Sequence, residues 1–140
     1  MAVPFLPCMA LVAQIYALPP RVLPSIQHVE GGQPGLVHTN SNGSQDLGIM
    51  QINTIWLPYL SAYTHLSPAE VRERLLGRAC FNIAAAGLIM RLCLDETGGD
   101  LLRAVGNYHS HTAQLNQAYQ AQVLRSATLL FIDRQAGRRP

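Results

Sequence analysis

Apolar and polar positions follow helical periods along most of this chain. Pro7 to Ala17 is a mostly apolar run interrupted by Gln14, and it predicts a first core helix over residues 7–18 that stops at Pro19-Pro20. With Pro24 in the first turn of a short second helix, where its missing N–H costs little, Leu23, Ile26 and Glu30 share one face at i, i+3 and i+7. Gly31-Gly32 then ends that helix. The segment from His38 to Asp46 is dense in turn formers, and Asn42-Gly43 is the strongest short hairpin signal available, so any strands here are short. Leu47 to Asn53 switches to alternating apolar and polar residues before a helix-like segment through Trp56 and Leu60.

Ser67-Pro68-Ala69-Glu70 is a capping box with Pro at the first helical position, which predicts a helix to about Leu76. Phe81, Ala84, Ala85, Leu88 and Leu92 trace one face of a longer helix that ends before Gly98-Gly99, and Asp100 is placed to cap the next. A last helix carries the stripe Leu115, Ala118, Tyr119, Val123, Ala127 and Leu130. These elements predict a mainly α, α+β single domain with one small hairpin or irregular lobe. Its core is expected over about residues 7–131, with a flexible tail at 134–140.

Length and composition agree with one folded unit: 140 residues, 49% hydrophobic and 13% charged, leave no room for a second domain and exclude a disordered chain. All ten basic residues are Arg, lying mainly within 72–103 and 125–139 without forming a block, so they read as solvated helix faces and not as a nucleic-acid footprint. The first twenty residues are uncharged. The run there has no positive n-region and four prolines, which argues against both an export leader and a stable membrane span.

Charge is scarce where the chemistry gathers. Between Arg21 and Glu70 only Glu30 and Asp46 are charged, amid small, apolar and neutral polar residues rich in Gly, Asn, Ser and Gln. That surrounding suits a neutral polymer such as a glycan and not a phosphate or other anion. A Glu30 aimed inward and partly desolvated has its pKa raised, so it can hold a proton near neutral pH and act as a general acid. Asp46, sixteen residues on, invites a two-carboxylate glycosidase mechanism, but directly after a turn cluster its expected task is to accept backbone N–H groups. His109 and His111 do not face each other and have no acidic or Cys partner nearby in sequence, so no metal site is expected; nor is any cofactor. Met50 and Trp56 are apolar fillers by residue type.

Cys80 and Cys93 fall on one predicted helix, about 20 Å apart at the usual rise per residue, out of disulfide reach. Spacing alone leaves two alternatives open: a bridge from Cys8 to one of them, or three free thiols.

Four stretches together resemble the soluble lytic transglycosylases: His28-Val29-Glu30-Gly31-Gly32, Asn40 through Asn53, Cys80-Phe81-Asn82-Ile83, and Ala104 through Ser110. The resemblance covers about Cys8 to Ala121 and is closest to small specialised members that accompany type IV secretion, conjugation, type III secretion and pilus systems. It implies a lysozyme-like fold and a glycan cleft in which Glu30 is the catalytic acid. The implied reaction is cleavage of the β-1,4 bond between N-acetylmuramic acid and N-acetylglucosamine in peptidoglycan, with closure of a 1,6-anhydro ring. By the same resemblance Gly48, Ile49, Met50 and Gln51 line the sugar-binding cleft, and Tyr108 and His109 form the corner beside it; Asp46, Asn53 and Asn82 are expected to have structural or turn roles. It also implies a Cys8–Cys80 disulfide, work in the periplasm or another exported location, peptidoglycan strands as substrate, and components of a secretion, conjugation or pilus apparatus as partners. Gly31 stands where many members carry Ser, and Tyr108-His109 stands where most read Tyr-Asn. A hydrolytic lysozyme using Glu30 and Asp46, and a glycan-binding assembly module without efficient catalysis, are the alternatives.

Overall fold

A helix that is apolar all round belongs inside a protein, and α5 (Ala79–Glu96) is such a helix. Ile83, Ala86, Ile89, Met90 and Cys93 are buried along it together with Ala85, Leu88 and Leu94. The expected stripe is therefore only one side of it: Phe81, Ala84 and Leu92 are partly buried, because neighbours pack against the opposite side as well. The computed structural model describes residues 3–133, so the tail expected over 134–140 lies outside the described residues.

Around α5 pack α1 (Leu6–Ile15), α4 (Pro68–Gly77) and α6 (Leu101–His109), while α7 (Ala113–Ala127) lies against α6 and α2 (Val22–Glu30). α1 forms the expected first core helix but ends three residues earlier than Leu18. Ala17 turns into the left-handed region at φ 52, and the Arg91 guanidinium donates to the Tyr16 and Ala17 carbonyls at 3.4 and 3.3 Å, capping the end that the apolar run alone does not mark. The Cys8–Cys80 disulfide ties α1 to the start of α5, with 5.8 Å between Cα atoms, and Cys93 stays a buried free thiol. Burial first, and then Glu96, push that thiol up to about 11.

Tyr119, Val123 and Leu130 of the expected stripe are buried, but Asn116 and Ser126 are buried beside them and Leu115 is 52% exposed, so the inner face of the last helix is partly rotated from that stripe. Polar partners cause the rotation. Asn116 donates to Asn107 Oδ1 at 2.7 Å and to the Ser110 carbonyl at 3.1 Å, and Ser126 Oγ is hydrogen-bonded to His28 Nδ1 at 2.6 Å. Satisfied in this way, two polar residues sit where a hydropathy pattern expects apolar ones. A π-helical stretch, Thr128–Asp133, follows.

The small lobe is an antiparallel three-stranded sheet in the order β1 (Val37–Thr39), β2 (Gln45–Leu47), β3 (Ile52–Asn53). The Asn42-Gly43 signal is met by a five-residue loop in which the Asn40 N–H donates to the Ser44 carbonyl at 2.8 Å and Gly43 adopts φ 87. The alternation from Leu47 to Asn53 is not one strand. Gly48 and Gln51 take φ 73 and 52, the chain doubles back, and Leu47, Ile49, Met50 and Ile52 are all buried. After β3, Asn53 caps a 3₁₀ turn, Thr54–Trp56, by accepting from the Ile55 N–H at 2.9 Å, and α3 (Leu57–Thr64) follows. The two helix caps expected from sequence form: Ser67 accepts from the Glu70 N–H at 3.2 Å and Asp100 from the Arg103 N–H at 3.3 Å. Among the described residues no single helix is long and apolar enough to cross a membrane.

Asn82 fastens the sheet lobe to the helical core. Fully buried on α5, it accepts from the Met50 N–H at 2.9 Å and donates to the Leu47 and Leu75 carbonyls at 2.8 and 2.9 Å. Close approach is possible because Gly48 has no Cβ; one would meet the Leu75 carbonyl and the Asn82 amide. Asn82→Ala strands one buried donor and two acceptors, each costing about 1–3 kcal/mol. We expect a loss of roughly 3 kcal/mol or more, read as a lowered urea midpoint at unchanged m-value.

Candidate active site

Glu30 is the last residue of α2, and the packing of that helix aims it. Leu23 and Ile26, on the same face, are buried to 1% and 0% exposure, so the side chain one turn further on leaves the core at the edge of the interior. Two contacts fix this end: His28 to Ser126 on α7, and Gln27 donating to the Gly32 carbonyl at 3.2 Å. Gly31 caps the helix at φ 65, a conformation that a Ser would adopt only under strain, which is a physical reason for glycine at this position. Gly32 packs against the Gly48 and Ile49 carbonyls, where a Cβ has no room. The acid is thus seated directly against the sheet lobe.

Its carboxyl opens into a cleft of about 1090 Å³ between that lobe and the helices. Burial first, and the Asp46 charge second, push its pKa up from 4.5 to about 7. The nearby Tyr119 hydroxyl offsets part of the rise, without making a hydrogen bond of regular geometry. Glu30 therefore holds its proton over a pH range in which an ordinary glutamate is ionised.

Asp46 opens into the same cleft, on β2 and not in a turn. The expectation that it accepts backbone N–H groups is corrected: its oxygens accept from the side-chain amides of Asn53 at 2.9 Å and Asn40 at 3.2 Å, with His38 Nδ1 3.6 Å away. β-Pairing makes this possible, since Asp46 stands directly opposite Asn53 on one side and His38 on the other. Asn53 thus has two tasks, as cap of the 3₁₀ turn and as donor to Asp46.

Of Gly48, Ile49, Met50 and Gln51, only Gln51 reaches the lining. Ile49 and Met50 are buried to 1% and 0% exposure beneath the cleft wall, and Gly48 is the close-packed hinge described above, so direct contact of these three with a ligand is corrected to support from below. Gln51 donates to the Gly48 carbonyl at 2.9 Å and closes the turn. Tyr108 and His109 both line the cleft. The Tyr108 hydroxyl is buried with no partner, and burial, followed by Glu30, raises its pKa well above the ordinary value. His111 lines it too, and finds in Glu96 the acidic partner that local sequence lacks, 2.5 Å away. Among the described residues no group of three or more His, Cys, Asp or Glu could hold a metal ion.

Two kinds of residue emerge that the pattern along the chain does not mark. Tyr119, in sequence one more member of a hydrophobic stripe, is brought to Glu30 with its hydroxyl buried and unpartnered, and stacks under His109 at 4.7 Å between ring centroids. A polar-tipped residue in an apolar stripe is the only sequence signal for it. Trp56 packs against the core as its residue type suggests and also lines the cleft with Tyr59, the rings edge to face at 5.8 Å. The result is a cleft lined by amide, hydroxyl and aromatic groups, with two carboxyls, Glu30 and Asp46, opening into it and two buried tyrosine hydroxyls packed behind it. No family model matches the chain, and a search of curated proteins finds no match either.

Proposed function

We propose that the protein is a peptidoglycan lytic transglycosylase that cuts the β-1,4 bond between N-acetylmuramic acid and N-acetylglucosamine. The observation that carries this is Glu30, a carboxyl whose pKa is raised to about 7, seated in a cleft lined by amide, hydroxyl and aromatic side chains. In this mechanism Glu30 gives its proton to the glycosidic oxygen as the C1–O bond breaks. The resulting carboxylate takes the proton of the muramoyl C6 hydroxyl, whose oxygen bonds to C1, so the acid is regenerated and no water is consumed. Tyr119, whose buried hydroxyl lies beside Glu30, and Tyr108 at the cleft wall steady the carboxyl from behind. The Cys8–Cys80 disulfide supports an oxidising, exported compartment such as the periplasm, where such an enzyme would open the wall for a secretion, conjugation or pilus assembly.

A hydrolytic alternative has specific support in Asp46. Fixed by two amide donors in the same cleft, it offers the second carboxylate that a retaining or inverting glycosidase requires. End-group chemistry separates the two. Mass spectrometry of fragments released from purified sacculi is expected to find 1,6-anhydro-muramoyl ends, with Asp46→Asn retaining them. Reducing ends that disappear in Asp46→Asn would assign the protein to the hydrolases.

A further inference from the structure

Aromatic side chains stand at i, i+3 and i+7 along the start of α3: Trp56, the last residue of the 3₁₀ turn before it, and Tyr59 and Tyr63 on α3 itself, a row about 10 Å long at the rise of a helix. Its first two members line the cleft; the third stands outside the lining. Tyr59 and Tyr63 are 43% and 55% exposed, and their rings lie nearly parallel, 11° apart in plane and 6.5 Å between centroids. Three aromatics thus run from the cleft wall outward, and α3, which bears two of them, has no charged residue.

We propose that this row is a stacking ledge that binds further units of a β-linked hexosamine strand as it leaves the cleft. The identity of the ligand rests on the glycan function proposed above; the ledge itself rests on the row's continuity with the cleft wall. Aromatic rings present an apolar face that suits the C–H face of a pyranose, and Tyr hydroxyls supply hydrogen bonds at the rim. A nucleic-acid strand would need a cationic groove beside the rings, and α3 offers none.

Binding of β-1,4-linked N-acetylglucosamine trimer and hexamer to the full chain, measured by calorimetry, tests the ledge. The trimer is accommodated by the cleft alone, so wild type is expected to bind the hexamer more tightly. Tyr63→Ala should weaken hexamer binding by about three- to tenfold, the range for one aromatic contact, while leaving the trimer unchanged, and Tyr63→Phe should bind like wild type. Equal hexamer affinity in wild type and Tyr63→Ala, with trimer binding intact, removes the ledge and leaves the proposed function standing. Failure of wild type to bind either oligomer counts against the glycan assignment itself.

Discussion

Glu30→Gln should lower turnover on peptidoglycan by about 10²–10⁴-fold while the protein stays folded, because the amide keeps the shape of the side chain but has no proton to deliver. The wild-type rate should itself fall as pH rises past about 7, where the carboxyl ionises. Stability should move the opposite way to activity in this variant. The folded-state value of about 7 lies above the ordinary 4.5, so the native protein holds the proton more tightly than the unfolded chain, and wild-type stability falls as pH rises from about 4.5 through 7. Glu30→Gln escapes that loss. It should match wild type at pH 4 and exceed it at pH 8, by about 3 kcal/mol at most on the linkage of 1.36 kcal/mol per unit. Thermal melts of both proteins at the two pH values read this directly; a variant no more stable than wild type at pH 8 would mean that the carboxyl is not desolvated. A desolvated carboxyl that costs stability at neutral pH is the trade expected if Glu30 is the proposed acid.

Breaking the Cys8–Cys80 bridge should be the largest single loss of stability. The bond spans a sequence separation of 72 residues, and the chain-entropy relation for such a loop gives about 4 kcal/mol, or a fall in Tm on the order of 10 °C. Denatured, unreduced protein should show one free thiol per chain, that of Cys93. Three thiols would remove the pairing. Cys8 and Cys80 are not among the residues that line the cleft, so the reduced protein should keep its Glu30 chemistry below its new midpoint. Loss of activity in a reduced protein that remains fully folded would withdraw the purely structural role.

Where a local rule acts alone, the sequence could be read to within a residue or two. The Ser67 and Asp100 caps, the Gly31 stop after α2 and the Asn42-Gly43 turn each depend on a residue's own backbone chemistry, and all four form. The orientation of Glu30 was legible from the face it shares with Leu23 and Ile26 on a short helix, although Val22 to Gln27 are all buried. Faces set by partners distant in sequence were not. α7 turns toward Asn116 and Ser126 because Asn107 and His28 satisfy them, and hydropathy cannot register a partner 98 residues away. The peptide from Gly48 to Gln51 reads as alternation but folds as a turn, because the Asn82 side chain, from another element, bonds the Met50 N–H. Asp46 was legible as a polar residue beside a turn; that Asn40 and Asn53 would hold it toward the cleft depends on the register of β-pairing. Tyr119 and Trp56 reach the site by packing alone. The candidate chemistry was thus visible at Glu30 through its own helix and at Gln51, Tyr108 and His109 through the resemblance, while Tyr119 and Trp56 became visible as site residues only with the fold.

The central claim is that this cleft cuts glycan strands through the proton on Glu30. The most direct measurement is release of soluble fragments from purified sacculi by wild type and Glu30→Gln, side by side at pH 6 and pH 8. Wild type should release fragments at pH 6, more slowly at pH 8, and Glu30→Gln at neither. Sacculi bound by wild type with no fragment released at either pH would contradict the account and leave a glycan-binding module, and equal release by both proteins would take the catalytic role away from Glu30.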